Sequence, residues 1–286
     1  MAIMRDFIYH RPSSLDEARR LACEAGAMLL AGGQTLLRDM KLGWHSPASL
    51  VDITGIVSKH IELLDNSISI GAGATHAEVA HSLILHRHLP VLAALAGHIG
   101  DPAVRHRGTL GGAVAANEPA GDYPAGCLGL DATLHTTKRD IASVKFFVGD
   151  RRTALEPGEI VRSATFPLAR RASYVKFLNP AARYAMVGVF AAVLTDGSPR
   201  VAVTGARVDG AFRWYDAEKA LAASFLPERL SGIRLSPERL AEDLFADAEF
   251  RAHLAGVLAR RAVALTDRAG SGVQVLSHGS SITGAP

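Results

Sequence analysis

Two short glycine-rich stretches, Ala31-Gly32-Gly33-Gln34-Thr35 and Gly108-Thr109-Leu110-Gly111-Gly112, constrain this chain more than any other feature. The first stands between an apolar strand-like run, Met28 to Ala31, and a helix-like run, Leu36 to Leu42. A glycine pair at such a junction tolerates positive φ and lets backbone come very close to a ligand. The helix that follows begins with unpaired N–H groups and the positive end of its dipole, the geometry that receives a phosphate. The second stretch repeats this chemistry and adds the hydroxyl of Thr109. It runs on into Asn117-Glu118-Pro119-Ala120-Gly121-Asp122-Tyr123-Pro124. Two such cradles suit a ligand with two phosphates better than a mononucleotide.

A chain of 286 residues, 48% hydrophobic and 21% charged, can fill more than one core, and its length suggests about two domains. The net charge is +3, and lysine and arginine are scattered, so nothing supports nucleic-acid binding. Cys23 and Cys127 are the only cysteines and sit among alanines and leucines. A disulfide framework, a thiolate zinc site and an iron–sulfur cluster within this chain are therefore not expected. Arg5 and Asp6 precede any apolar run, which argues against a secretory signal. No stretch approaches the ~18–20 apolar residues of a membrane span. A reducing, cytoplasmic setting is the expectation.

Phe7 to His10 reads as a strand, Ser14 with Glu17 as a capping box for a helix through about Ala25, and Met28 to Ala31 as a second strand. With the helix after the glycine pair and a strand at Leu50-Val51-Asp52-Ile53, residues 1–55 form a small parallel βαβ unit. Residues 56–170 read as mixed α+β. A hairpin turns at Asp65-Asn66, one helix runs from Ala77 to His86 behind Thr75, and another runs from Val91 to Gly97 after Pro90. Strands follow at Thr133–Thr136, Ile141–Val144, Glu159–Val161 and Ser163–Pro167. Residues 171–268 predict a C-terminal α+β domain. It has a three-stranded antiparallel sheet (Tyr174–Phe177, Val187–Leu194, Arg200–Val208) and helices at Asp216–Leu226 and Pro237–Thr266. Residues 269–286, rich in Gly and Ser, are expected to be a flexible tail without a fold of its own, or to lie across a partner.

Gly71-Ala72-Gly73-Ala74-Thr75-His76 resembles the start of a dinucleotide fingerprint, but His76 stands where the last glycine belongs and a hairpin precedes it. It reads better as a strand-to-helix turn beside the ligand, which makes Ala74 and Thr75 candidate contacts. The histidines at 76, 81, 86, 88, 98 and 106 lack the i, i+4 spacing and carboxylate of a metal helix, so no metal is expected. Ser13-Ser14 and Ser280-Ser281 have no nucleophile-elbow context. The run Ile99-Gly100-Asp101-Pro102-Ala103-Val104-Arg105-His106-Arg107 leads directly into the second cradle. Two readings stand for it: a helix-to-loop break with a solvated Arg105, or a loop that sets Ile99 against a flat ring and delivers Thr109. Asp122 is either a turn residue or a hydrogen-bond partner for a ribose or ribityl hydroxyl.

The order and wording of these stretches resemble the FAD-binding medium subunit of the molybdenum hydroxylases, the carbon monoxide dehydrogenase and xanthine dehydrogenase group. The resemblance covers nearly the whole chain. It takes in Tyr9-His10-Arg11-Pro12, Ala31 to Leu37, Leu50 to Ile53, Ile70-Gly71-Ala72, Ile99 to Ala125, Ala154 to Glu159 and Val257 to Ala262. It implies a PCMH-type FAD domain in two parts followed by a C-terminal α+β domain. It also implies that residues 31–35 and 109–113 (Thr109, Leu110, Gly111, Gly112, Ala113) hold the FAD diphosphate largely through backbone N–H groups, with Leu36 and Gly108 beside them. Ile99 would lie near the isoalloxazine and Asp122 near the ribityl or ring edge. Tyr184 would be an aromatic on one flavin face. Lys176 would be either a charge near the ring's C2 carbonyl or a snorkelling strand lysine. Three departures stand out: Ala113 in place of Asn or Asp, Asn117-Glu118 before Pro119, and Arg183 before Tyr184.

The function implied is an electron-transfer oxidoreductase subunit. A large molybdenum-cofactor subunit and a small subunit with 2Fe–2S clusters would be the partners, as a dimer of heterotrimers, with FAD in this chain passing electrons to an external acceptor. A self-sufficient PCMH-type flavin reductase and a non-catalytic scaffold are the alternatives.

Overall fold

The computed structural model describes residues 6–266 and 272–277. The chain opens with β1 (Ile8–His10), α1 (Leu15–Ala22), β2 (Ala27–Leu30), α2 (Leu36–Lys41) and β3 (Ser49–Asp52). These strands make a parallel sheet in the order β1-β3-β2. The central strand carries Leu50 and Val51, both buried, as a strand covered on both sides requires. The first glycine stretch lies at the carboxyl end of β2, where ligands bind in parallel units.

β4 (Ile61–Leu63) and β5 (Ser67–Gly71) form the expected hairpin. The single helix expected from Ala77 to His86 is in fact two, α3 (His76–Ala80) and α4 (Leu83–His88). The break falls at Ser82, whose hydroxyl accepts from the Leu85 N–H and so starts a second helix instead of extending the first. α5 (Pro90–Gly97) follows with proline at its first turn.

The segment read as a loop before the second glycine stretch is helical. Asp101 caps α6 (Pro102–Arg107) by accepting from the Val104 N–H at 2.9 Å. Thr109 caps α7 (Leu110–Ala116), and Asp122 begins α8 (Asp122–Gly129). β6 (Thr133–Thr136), β7 (Asp140–Ala142), α9 (Ser143–Phe146) and the small β8 (Phe147–Gly149) and β9 (Arg152–Thr153) hairpin come next. The two strands expected at Glu159–Val161 and Ser163–Pro167 are one, β10 (Val161–Pro167), central in an antiparallel sheet ordered β4-β5-β10-β6-β7.

β11 (Ala169–Leu178), β12 (Ala185–Leu194), β13 (Pro199–Thr204) and β14 (Phe212–Arg213) form the meander of the C-terminal half, with α10 (Tyr215–Leu221) and α11 (Ala248–Leu265). Both helices are shorter than expected. α11 starts at the Asp247 cap, whose carboxylate accepts from the Phe250 N–H at 2.7 Å, and Pro237–Arg239 make only a 3₁₀ turn.

The three-stranded sheet expected here has five strands. β15 (Val273–Leu276) pairs in parallel with Tyr174–Phe177, so these residues are an edge strand and not a free tail. Residues 269–271 and 278–286 of the expected tail, Ser280-Ser281 among them, lie outside the described residues. Alternation along the strands explains why this sheet is buried on both faces. Tyr174, Phe190 and Ala192 join the core of the preceding units, while Val175, Val189 and Ala191 join the core under α11.

Candidate functional site

The two glycine stretches pack directly against each other. A Cβ added to Gly32 would come within 2.1 Å of the Arg107 carbonyl oxygen and 2.7 Å of Gly108 Cα. Gly33 takes φ +72°, a left-handed conformation that glycine adopts without strain. Between the stretches lies a cavity of about 640 Å³. Ala31, Gly32, Gly33, Gln34, Thr35 and Leu36 line one wall. Thr75, His76, Gly108, Thr109, Gly111, Gly112 and Ala113 line the other.

The walls differ in their backbone donors. Among the described residues, the N–H groups of Gly32, Gly33, Gln34, Thr35 and Leu36 have no hydrogen-bond partner. They end the loop and open α2, whose cap Thr35 adds no side-chain bond. On the other wall, Leu110 N–H donates to the Ala74 carbonyl (2.9 Å) and Gly111 N–H to the Ala72 carbonyl (2.8 Å). Gly112 N–H donates to Thr109 Oγ1 (3.1 Å) and Ala113 N–H to the Thr109 carbonyl (3.0 Å). The row of donors expected over residues 109–113 is thus engaged inside the fold, apart from that of Thr109. Gly111 is glycine for packing: an added Cβ would sit 2.5 Å from Ala72 Cβ.

Side chains close the cavity. His76, 4% exposed, is held neutral by burial and by Arg105, which push its pKa down to about 4. At one end four charges alternate. Arg38 binds Glu118 (2.5 Å) and Asp39 (2.9 Å), and Arg151 binds Asp39 (3.0 Å) and Glu118 (2.9 Å). The Glu118 departure therefore joins α2 to the end of α7 and to the β8–β9 turn. Asn117, fully buried in a left-handed conformation, donates to the Gly149 and Arg152 carbonyls and pins the same hairpin.

Several of the expected contacts do not line this cavity. Ala74 and Leu110 are core residues, Ala74 serving through its carbonyl. Ile99 is half-buried next to Arg105, which donates to the Ile99 carbonyl at 3.2 Å. Tyr184 stands over α2, accepting from Arg38 at 2.6 Å. Asp122 and Lys176 are bound to each other: the fully buried ammonium donates to Asp122 (2.9 Å) and to the His98 carbonyl (2.9 Å). Tyr174 also donates to Asp122. The lysine is thus neither a snorkelling strand lysine nor a free charge, and the aspartate is its counter-ion.

Sequence reasoning did not single out His76, Asp39, Arg107 or Arg151 as lining residues. His76 was visible only as the misfit at the end of the fingerprint-like run, and Arg151 carried no local signal. No cluster able to hold a metal occurs among the described residues, and no helix among them is long and apolar enough to cross a membrane.

Residues 4–169 match the family of the FAD binding domain in molybdopterin dehydrogenase. The chain is 31% identical to the carbon monoxide dehydrogenase medium chain of Hydrogenophaga pseudoflava over 90% of this chain and 96% of that one. It is 30% identical to the nicotine 6-hydroxylase medium subunit of Paenarthrobacter nicotinovorans, over 89% and 95%. Reconstituted CO dehydrogenase from Oligotropha carboxidovorans superposes with a TM-score of 0.85 and 29% identity, covering 94% of this chain and 100% of that one. The family match spans more than half of the sequence and covers both walls of the cavity. The chain belongs to the FAD-binding family of the molybdopterin dehydrogenases, as an FAD-dependent medium subunit of the molybdenum hydroxylase kind.

Proposed function

We propose that this chain holds FAD with its diphosphate between the two glycine stretches, and serves as the electron-transfer subunit of a molybdenum hydroxylase. The observation that carries the reading is the run of five unpartnered backbone N–H groups, residues 32–36, along a glycine-walled cavity. Such donors have no partner within the fold, and an anion satisfies them together with the positive end of α2. Gly112 leaves the opposite wall open, since a Cβ there would meet only Thr109 Oγ1 and Ala31 Cβ. The residues present fit the cofactor.

Bound FAD supplies the capacity to accept electrons and release them to a second acceptor. The chain's own groups bind and orient it. Residues 32–36 face the diphosphate, Thr75, Gly108, Thr109 and Ala113 form the opposing wall, and the Arg38–Asp39–Glu118–Arg151 ring fastens the walls together. The Asp122–Lys176 pair fixes the start of α8 and so the loop that follows α7.

The matched relatives named as medium chains support partners in general. We assign a large subunit with the molybdenum cofactor and a small subunit with 2Fe–2S clusters, assembled as a dimer of heterotrimers in the cytoplasm.

The test is flavin content. The chain purified with its partners should be yellow, with the absorbance of oxidised flavin, and should carry molybdenum and iron only in the other subunits. A colourless chain that takes up no added FAD would contradict the reading. Turnover of a substrate by the isolated, FAD-loaded chain would favour a self-sufficient reductase instead.

A further inference from the structure

We propose that His76 is a cofactor-binding residue, whose neutral imidazole donates a hydrogen bond from Nε2 to the FAD diphosphate from the wall opposite residues 32–36. The inference rests on the FAD reading above and goes beyond it by assigning a contact that neither the glycine pattern nor the family's description contains.

The backbone holds the ring in place. His76 is the first residue of α3, behind a complete capping box in which Thr75 and Glu78 bond each other's N–H groups. Its own N–H donates to the Gly108 carbonyl at 2.9 Å, tying it to the second stretch. The imidazole packs between Gly108 and Tyr123. A Cβ on Gly108 would come within 2.5 Å of Nε2, and the Tyr123 ring centroid is 5.4 Å away, tilted by 46°. Gly108 is therefore glycine because the imidazole occupies the space a side chain would need. The orientation is fixed from both sides, and the residue lines the cavity.

The hydrogen-bond inventory then selects the tautomer. Nδ1 is buried without a partner. A proton there would leave a buried donor unpaired, which folded proteins almost never tolerate, whereas an unpaired acceptor costs less. The proton belongs on Nε2. An uncharged donor also suits a site where Arg105 already stands near and burial penalises a cation.

The second wall needs such a group. The N–H groups of residues 110–113 are already engaged, so backbone offers an anion on this side only the Thr109 N–H, and side chains must supply the rest. Among the described residues, the buried polar side chains lining the cavity are Asp39, His76, Thr109 and Glu159; the two carboxylates are acceptors, so His76 and Thr109 are the ones that can donate, with Arg107 and His106 among the exposed residues of the lining.

The full-length chain, stripped of flavin, is titrated with FAD by flavin fluorescence for wild type, His76→Phe and His76→Gln. Phenylalanine keeps a ring between Gly108 and Tyr123 but has no donor, while glutamine keeps a donor and loses the ring. The expected result is a Kd raised at least about tenfold in His76→Phe, the size of one lost hydrogen bond to a charged group, and within about threefold of wild type in His76→Gln. In ¹⁵N-histidine-labelled wild type, ADP should move the Nε2–H signal of His76. If His76→Gln binds FAD no more tightly than His76→Phe, or if all three bind alike, the proposal is overturned and His76 is a packing residue. If wild type itself takes up no FAD, the cofactor reading fails first, which the wild-type titration alone reveals.

Discussion

The first glycine stretch keeps its backbone donors open, and the second has turned nearly all of its own inward. Both gather glycines around a helix start, yet their neighbours give them opposite roles. Residues 32–36 emerge from a parallel strand into a helix whose cap makes no side-chain bond, so five N–H groups remain without partners among the described residues. Residues 108–113 bridge to Ala72, Ala74 and His76, and Thr109 caps its helix from within. The first stretch is a set of donors. The second is a close-packed wall whose glycines let two backbones and an imidazole approach. A glycine-rich loop is thus not in itself an anion site; the donors must also be left unused.

That contrast can be broken by substitution. Gly32→Ala should have the largest effect, because its Cβ would strike the Arg107 carbonyl and separate the walls. We expect about 4 kcal/mol of lost stability, toward the upper end of overpacking effects, and no measurable FAD uptake. Denaturant unfolding and flavin titration check both.

Acid should act next, and on the second wall. The folded-state pKa of His76 is depressed to about 4 by burial and Arg105, against about 6.5 unfolded. The unfolded chain therefore binds the proton first. Stability is complete above pH ~6.5 and falls as pH drops toward 4, by up to about 3 kcal/mol. In His76→Phe this part of the pH dependence should disappear from the unfolding curves.

Gly111→Ala would place a Cβ 2.5 Å from Ala72 Cβ and should cost about 2 kcal/mol. The variant that folds should still bind FAD to within about threefold, since residue 111 offers no open donor; a large loss of affinity at unchanged stability would refute the division of roles. Thr109→Val is the mildest, about 1 kcal/mol for a lost cap, read as a lower melting temperature.

Much of the architecture was readable from residue order. The βαβ opening, the hairpin at Asp65-Asn66 and the two glycine stretches stand where patterning puts them. What was not readable depended on partners far along the chain. Whether Leu110 and Gly111 keep their donors is decided by Ala72 and Ala74, and whether Lys176 is available is decided by Asp122 and the His98 carbonyl. Around Asp101-Pro102 the sequence allows a helix-to-loop break or a loop that delivers Thr109, and neither is a helix start. In the structure aspartate as N-cap and proline at N1 start α6. Val273–Leu276 look like tail in composition, and only the unpaired edge of β11 makes them a strand.

The most direct test of the central claim is the amide ¹H–¹⁵N spectrum of the labelled, flavin-free chain as FAD is added. If the diphosphate rests on the first stretch, the amides of residues 32–36 should shift strongly and exchange more slowly with solvent, while those of 110–113 stay nearly still. Large shifts at 110–113 with residues 32–36 unmoved would contradict it.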